Sequence, residues 1–118
     1  MLRVTPHVVA AAYDFLRQCP PYRGWRLPEG DSVEFRLERD QTCYGSHKGT
    51  PTHNIIGVND NFIGHTETLL RVVAHEMIHL HQYLAKLETP GTVHNAHFRR
   101  VARRACRTHG WDEKHFFI

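Results

Sequence analysis

Thr66-Glu67-Thr68-Leu69-Leu70-Arg71-Val72-Val73-Ala74-His75-Glu76-Met77-Ile78-His79-Leu80-His81-Gln82-Tyr83-Leu84-Ala85-Lys86-Leu87 carries the strongest periodic signal in the chain. Leu70, Val73, Met77, Leu80, Leu84 and Leu87 recur at steps of three and four, which predicts a helix over about 67–87 with one packing seam. Inside it lies His75-Glu76-Met77-Ile78-His79, an H-E-x-x-H sequence. Imidazoles four residues apart stand one turn apart on one helical face, near enough to share a metal ion. A glutamate directly after the first histidine can take a proton from water on such an ion, the pattern of a zinc-dependent hydrolase and most often of a peptidase. On the helical wheel His75 and His79 lie away from the seam, so the helix can pack along one side and present ligands on another.

The rest of the composition narrows the class. A chain of 118 residues, 41% hydrophobic and 23% charged, supports one ordinary globular core, and we read residues 1–118 as one domain. No run approaches the length of a membrane span, and the start lacks the apolar stretch and cleavage site of a secretory signal. Cys19, Cys43 and Cys106 are odd in number and widely spaced, against a disulfide framework or a four-cysteine zinc ribbon. We therefore expect a reducing, intracellular setting: cytoplasmic, with association to nucleoid or nucleus open. Of the 11 histidines, His7, His53, His65, His109 and His115 are expected on the surface.

Thr5-Pro6 is a helix start, a hydroxyl cap followed by proline, for a helix over about 6–18 that buries Val9, Ala12, Tyr13 and Leu16. Residues 19–32 read as a loop anchored by Trp25 and Leu27. Residues 33–39 alternate as a half-buried strand, 41–44 are expected to continue as a second short strand, and 45–51 to form a turn. Residues 54–59 are the next strand, expected at the sheet edge bordering the cleft. A last helix over about 95–109 stops at Gly110, burying Phe98, Val101, Ala102, Ala105 and Cys106, and the apolar tail 111–118 packs back. The fold class is α+β, a short antiparallel or mixed sheet of about three strands packed with three helices.

A catalytic zinc takes three protein ligands and keeps a position for water. Gln82 and Ala85 stand where a metzincin would have its glycine and third histidine, so the third ligand comes from further along. His94 and His97 are the candidates, with the Glu113 carboxylate as an alternative; a helix–turn–helix return brings His94 beside the first helix. His81 is expected to face solvent, Tyr83 to pack, and Cys43 and His47 to be structural.

With His94-Asn95-Ala96-His97-Phe98 following H-E-x-x-H after fourteen residues, the chain resembles the SprT-like metalloprotease domain, whose members include Spartan. The resemblance spans roughly 33–109 and implies a zincin-like core, one Zn2+ ion held by His75, His79 and His94, and Glu76 as general base. Two departures stand out: Asn95 replaces a glycine of the family's second motif, which a left-handed turn would tolerate, and the zinc ribbon of many bacterial members is absent from this minimal form. Peptide or protein substrates are implied, including proteins bound or crosslinked to DNA and hence crosslink repair. Arg99, Arg100, Arg103, Arg104 and Arg107 form a run suited to DNA phosphates. The bland alternative is a solvated face partly paired with Glu34, Glu38 or Asp112. A rival reading is a basic nucleic-acid-binding domain whose metal site is structural or vestigial.

Overall fold

The computed structural model describes residues 2–39 and 42–117. Helix α1 spans Pro6–Arg17; strands β1, β2 and β3 span Glu34–Leu37, Gly45–Thr50 and His53–Val58. Helices α2, α3 and α4 then span Thr66–Ala85, Ala96–His109 and Glu113–Phe116. The chain is α+β, a three-stranded mixed sheet with three main helices. Its strand order is β1-β3-β2, with β1 parallel and β2 antiparallel to β3.

The ends of the helices follow local chemistry. Thr5 accepts from the Val8 amide with proline at the first helical position of α1. Gly110, at φ 76°, closes α3 in the left-handed conformation that glycine adopts without strain. α2 packs against α1, α3, α4, β2 and β3, which buries it almost all round through its middle turns: Val72 to Ile78 are buried without a break. The expected seam therefore describes only part of it. Val73, Met77 and Leu80 are in the core, whereas Leu84, in the last turn, is 43% exposed and Leu87, beyond the helix's end at Ala85, is 40% exposed.

The sheet departs from expectation in two places. Residues 42–44 are bends, and the second strand is the 45–50 segment expected to turn (Gln41 lies outside the described residues). Gly-Ser-His-Lys-Gly-Thr has weak strand propensity, but its glycines let it lie hard against α2. A Cβ on Gly45 would sit 2.9 Å from Val72 Cγ1 and 3.0 Å from the Gly57 carbonyl oxygen, and one on Gly49 would sit 2.7 Å from the Tyr83 ring. Tertiary packing here overrides propensity. As a result β3 is central rather than the edge, and β2 is the strand beside the cleft. Two histidines expected at the surface or in solvent are half-buried: His109 stacks on Trp111, and His81 stacks on Trp25 with ring centroids 4.0 Å apart.

Candidate metal centre

His75 and His79 project from one face of α2, and His94 reaches them from the segment just before α3. One ligating atom from each lies within 4.8 Å of the other two, a group that could hold a metal ion. His94 Nε2 stands 3.2 Å from His75 Nε2. Two nitrogens bound at zinc distances to one tetrahedral ion are roughly 3.3 Å apart, so the pair already has ligand spacing. His97 and Glu113 are not in this group. His97 Nδ1 is engaged by Gln82 Nε2 at 2.9 Å, and Glu113 is exposed on α4.

The chemistry of the donor set fits a divalent ion. His75 donates from Nδ1 to the Phe116 carbonyl oxygen at 2.7 Å, which leaves its Nε2 lone pair facing His94. Burial lowers the His75 pKa to about 4 and, with the neighbouring imidazoles and His47, the His79 pKa to about 3. His94 is lowered too, by burial and then by Arg99. All three are therefore neutral at pH 7, the form that ligates metal.

Glu76 is 5% exposed, with Oε2 4.0 Å from His75 Nε2. Burial first, then the Glu38 carboxylate, pushes its pKa up to about 8. In the metal-free protein this carboxyl therefore holds its proton at neutral pH, and a cation bound at the imidazoles would favour the carboxylate form that general-base work requires. Glu76 and His75 line a cavity of about 640 Å³, together with His79 and His94. Its walls are Cys43 to His47 on one side, 88–89 and 91–93 on another, and Phe117.

Several of these neighbours escaped the sequence. His47 and Cys43, read as structural, are wall residues. His47 is the one bulky side chain on the helix-facing side of β2, between Gly45 and Gly49, and Nε2 lies 3.3 Å from Asn54 Oδ1. The alternation of glycine and histidine in a strand pressed on a helix was the available signal. The tail does more than pack: Phe116 supplies the carbonyl that orients His75, and Arg71 Nη1 donates to the His115 carbonyl oxygen at 2.6 Å (Ile118 lies outside the described residues). A backbone carbonyl leaves no mark in a sequence. Tyr83 packs beside His47, their ring centroids 5.7 Å apart. Asn95 is not left-handed. With φ −74° and ψ −179° it is the extended cap of α3, accepting from the Phe98 amide.

The family model for the SprT-like family matches residues 16–115. The chain belongs to the SprT-like family. The match extends beyond both ends of the segment legible from the motifs and takes in α2, α3 and the three imidazoles. Searches of curated proteins and of solved structures return no match. As a SprT-like domain the chain carries a fold whose family implies a zincin-like core.

The arginines of this SprT-like domain divide. Arg99 Nη1 donates to the His94 carbonyl oxygen at 3.0 Å and so is tied to the segment that carries His94. Arg100, Arg103, Arg104 and Arg107 are exposed at steps of three, one and three, a stripe opposite the buried face of α3. Among the described residues none of the five pairs with a carboxylate. Glu34 is taken by Arg36 and His53, Glu38 contacts Ser46 and Lys48, and Asp112 caps α4. No described helix is long and apolar enough to cross a membrane.

Proposed function

We propose that this SprT-like domain is a zinc metallopeptidase in which His75, His79 and His94 hold the ion and Glu76 is the general base. The observation that carries this reading is the buried carboxyl of Glu76 beside three imidazoles whose ligating atoms lie within 4.8 Å of one another, all on one cavity. Bound zinc would supply the Lewis acidity that activates water and polarises the scissile carbonyl. Glu76 takes the proton from the attacking water and later delivers it to the leaving amine, and its position at the cavity wall serves both transfers. The Phe116 carbonyl holds His75 in the tautomer that leaves Nε2 free. β2, as the edge strand beside the cavity, suits an extended peptide added as a further strand, giving main-chain affinity with little sequence selectivity.

Protein bound or crosslinked to DNA is the substrate class this reading favours, with the α3 stripe resting on phosphates. Glu76→Gln should keep zinc and the fold but lower peptide cleavage by at least about 10²–10⁴-fold, the usual contribution of a positioned general base. Equal inactivity of wild type and variant toward unfolded and DNA-bound proteins would favour the nucleic-acid-binding rival. Proline placed in an extended test peptide should slow cleavage; unchanged cleavage would remove the strand-addition mode.

A further inference from the structure

A carboxamide can accept two hydrogen bonds and donate two, and Asn95 makes all four. Its Oδ1 accepts from Gln82 Nε2 and from the Phe98 amide, each at 2.9 Å. Its Nδ2 donates to the Leu87 carbonyl oxygen and to Thr89 Oγ1, each at 3.0 Å. One side chain thus ties together the end of α2, the loop after it and the first turn of α3. Gln82 is 1% exposed and its amide also meets His97 Nδ1, so the anchor on α2 is itself held.

These bonds sit beside the metal centre. Gln82 follows His79 by three residues along α2, about one turn, and Asn95 follows His94 directly. The junction of α2 and α3 therefore carries two rungs, one of imidazoles and one of carboxamides. Between the helices, residues 86–93 are exposed, with Gly91 at φ 78° and one isolated bridge from Thr89 to Thr92. A connection with so little burial samples many conformations unless it is tied.

We propose that Asn95, backed by Gln82, is a positioning residue that holds His94 at ligand spacing before any ion arrives. The inference rests on the metal-site reading above. Apparent affinity scales with the fraction of molecules already competent to bind, so gathering the third ligand in advance tightens binding. An ordinary cap does not need this much: Thr5 caps α1 with one bond to the Val8 amide. Three of Asn95's four bonds run back to α2 and its loop.

The test compares wild type, Asn95→Gly, Asn95→Asp, Gln82→Met and Thr5→Ala. Zinc affinity is read by competition with a chromophoric chelator, zinc release by its rate, and amide exchange at residues 86–94 in metal-free protein. Asn95→Gly should bind zinc about 10–100-fold more weakly, the range for residues that support a ligand, with faster release and faster exchange in the loop. Asn95→Asp keeps the acceptors and loses both donors, so it should fall between. Gln82→Met should lose several-fold, and Thr5→Ala should destabilise the fold while keeping wild-type affinity. Asn95→Gly within twofold of wild type, or Thr5→Ala losing as much, overturns the proposal. If Asn95→Gly does not fold, Asn95→Asp and Gln82→Met both within twofold of wild type overturn it equally. Wild type that takes up no zinc defeats the metal reading and this inference with it, whereas tight wild-type binding with an unchanged Asn95→Gly defeats this inference alone.

Discussion

At the scale of single residues, the three imidazoles differ in what holds them. His75 and His79 are fixed by a buried helix, and His75 also by the Phe116 carbonyl; His94 depends on a loop. Removing a ligand should cost more than removing a residue that supports one. His94→Ala should therefore weaken zinc binding by more than about 100-fold, while His97→Ala and Glu113→Ala should stay within a few-fold, as measured by metal content after dialysis and by chelator competition. Full zinc retention in His94→Ala would end the present assignment. The H-E-x-x-H pair was legible because helical spacing alone puts both rings on one face. Gln82 and Asn95 were legible only as mismatches to motifs, because what they do depends on partners that folding brings near.

Elements position these residues, and two of them show how. β2 carries glycine where α2 comes closest, and a Cβ at Gly45 would also lie 3.1 Å from Glu76 Oε2. Gly45→Ala should destabilise the fold by about 1–3 kcal/mol through overpacking and lower cleavage as well, measured by urea unfolding and peptide turnover; unchanged stability would mean the strand can back away from the helix. α4 is pinned by Arg71 through the His115 carbonyl. Arg71→Met should loosen the tail and reduce zinc affinity several-fold without touching a ligand, and an unaltered affinity would show that Phe116 is held by its burial alone. On α3, changing Arg100, Arg103, Arg104 and Arg107 to glutamine should weaken DNA binding and flatten its salt dependence, by roughly 0.9 in log–log slope for each phosphate no longer neutralised. An unchanged slope would place any DNA-binding surface elsewhere. α1, α2 and α3 were readable from caps and periodicity, whereas α4 lay inside what read only as an apolar tail. β2 was not readable either, because six residues with two glycines and no β-branched run form a strand only when β3 and α2 are already there.

For the whole molecule, buried ionisable groups set the response to pH. Burial, helped by Glu113 and Asp112, pushes the Cys106 thiol up to about 11, and burial also raises Tyr13 and Tyr22 above the usual tyrosine range. Each is raised in the folded state, so above about pH 8.5–10 the unfolded chain releases its protons first. Stability should fall as pH climbs through that window. This comes beyond the earlier loss between about pH 4.5 and 8 from the raised Glu76 carboxyl, while below about pH 6.5 the lowered His75 and His79 make stability fall toward acid. Urea midpoints measured between pH 7 and 11 would show this, and a flat profile to pH 11 would contradict it. In the same folded protein at pH 8 a thiol reagent should modify exposed Cys43 and spare buried Cys106.

The sequence alone carried α1, α2 and α3 to within about two residues, and the spacing that puts His75, Glu76 and His79 on one helix, because spacing, caps and proline or glycine stops act within a few residues. It also determined the α+β class, from the order of alternating and periodic segments. Folding in three dimensions settled which strand borders the cleft, which carbonyl orients His75, that Gln82 and Asn95 meet, and that Arg99 bonds the His94 carbonyl while Arg100, Arg103, Arg104 and Arg107 form an exposed stripe. Each of these is a contact between groups set by how elements stack, and stacking depends on the whole core rather than on any stretch of chain.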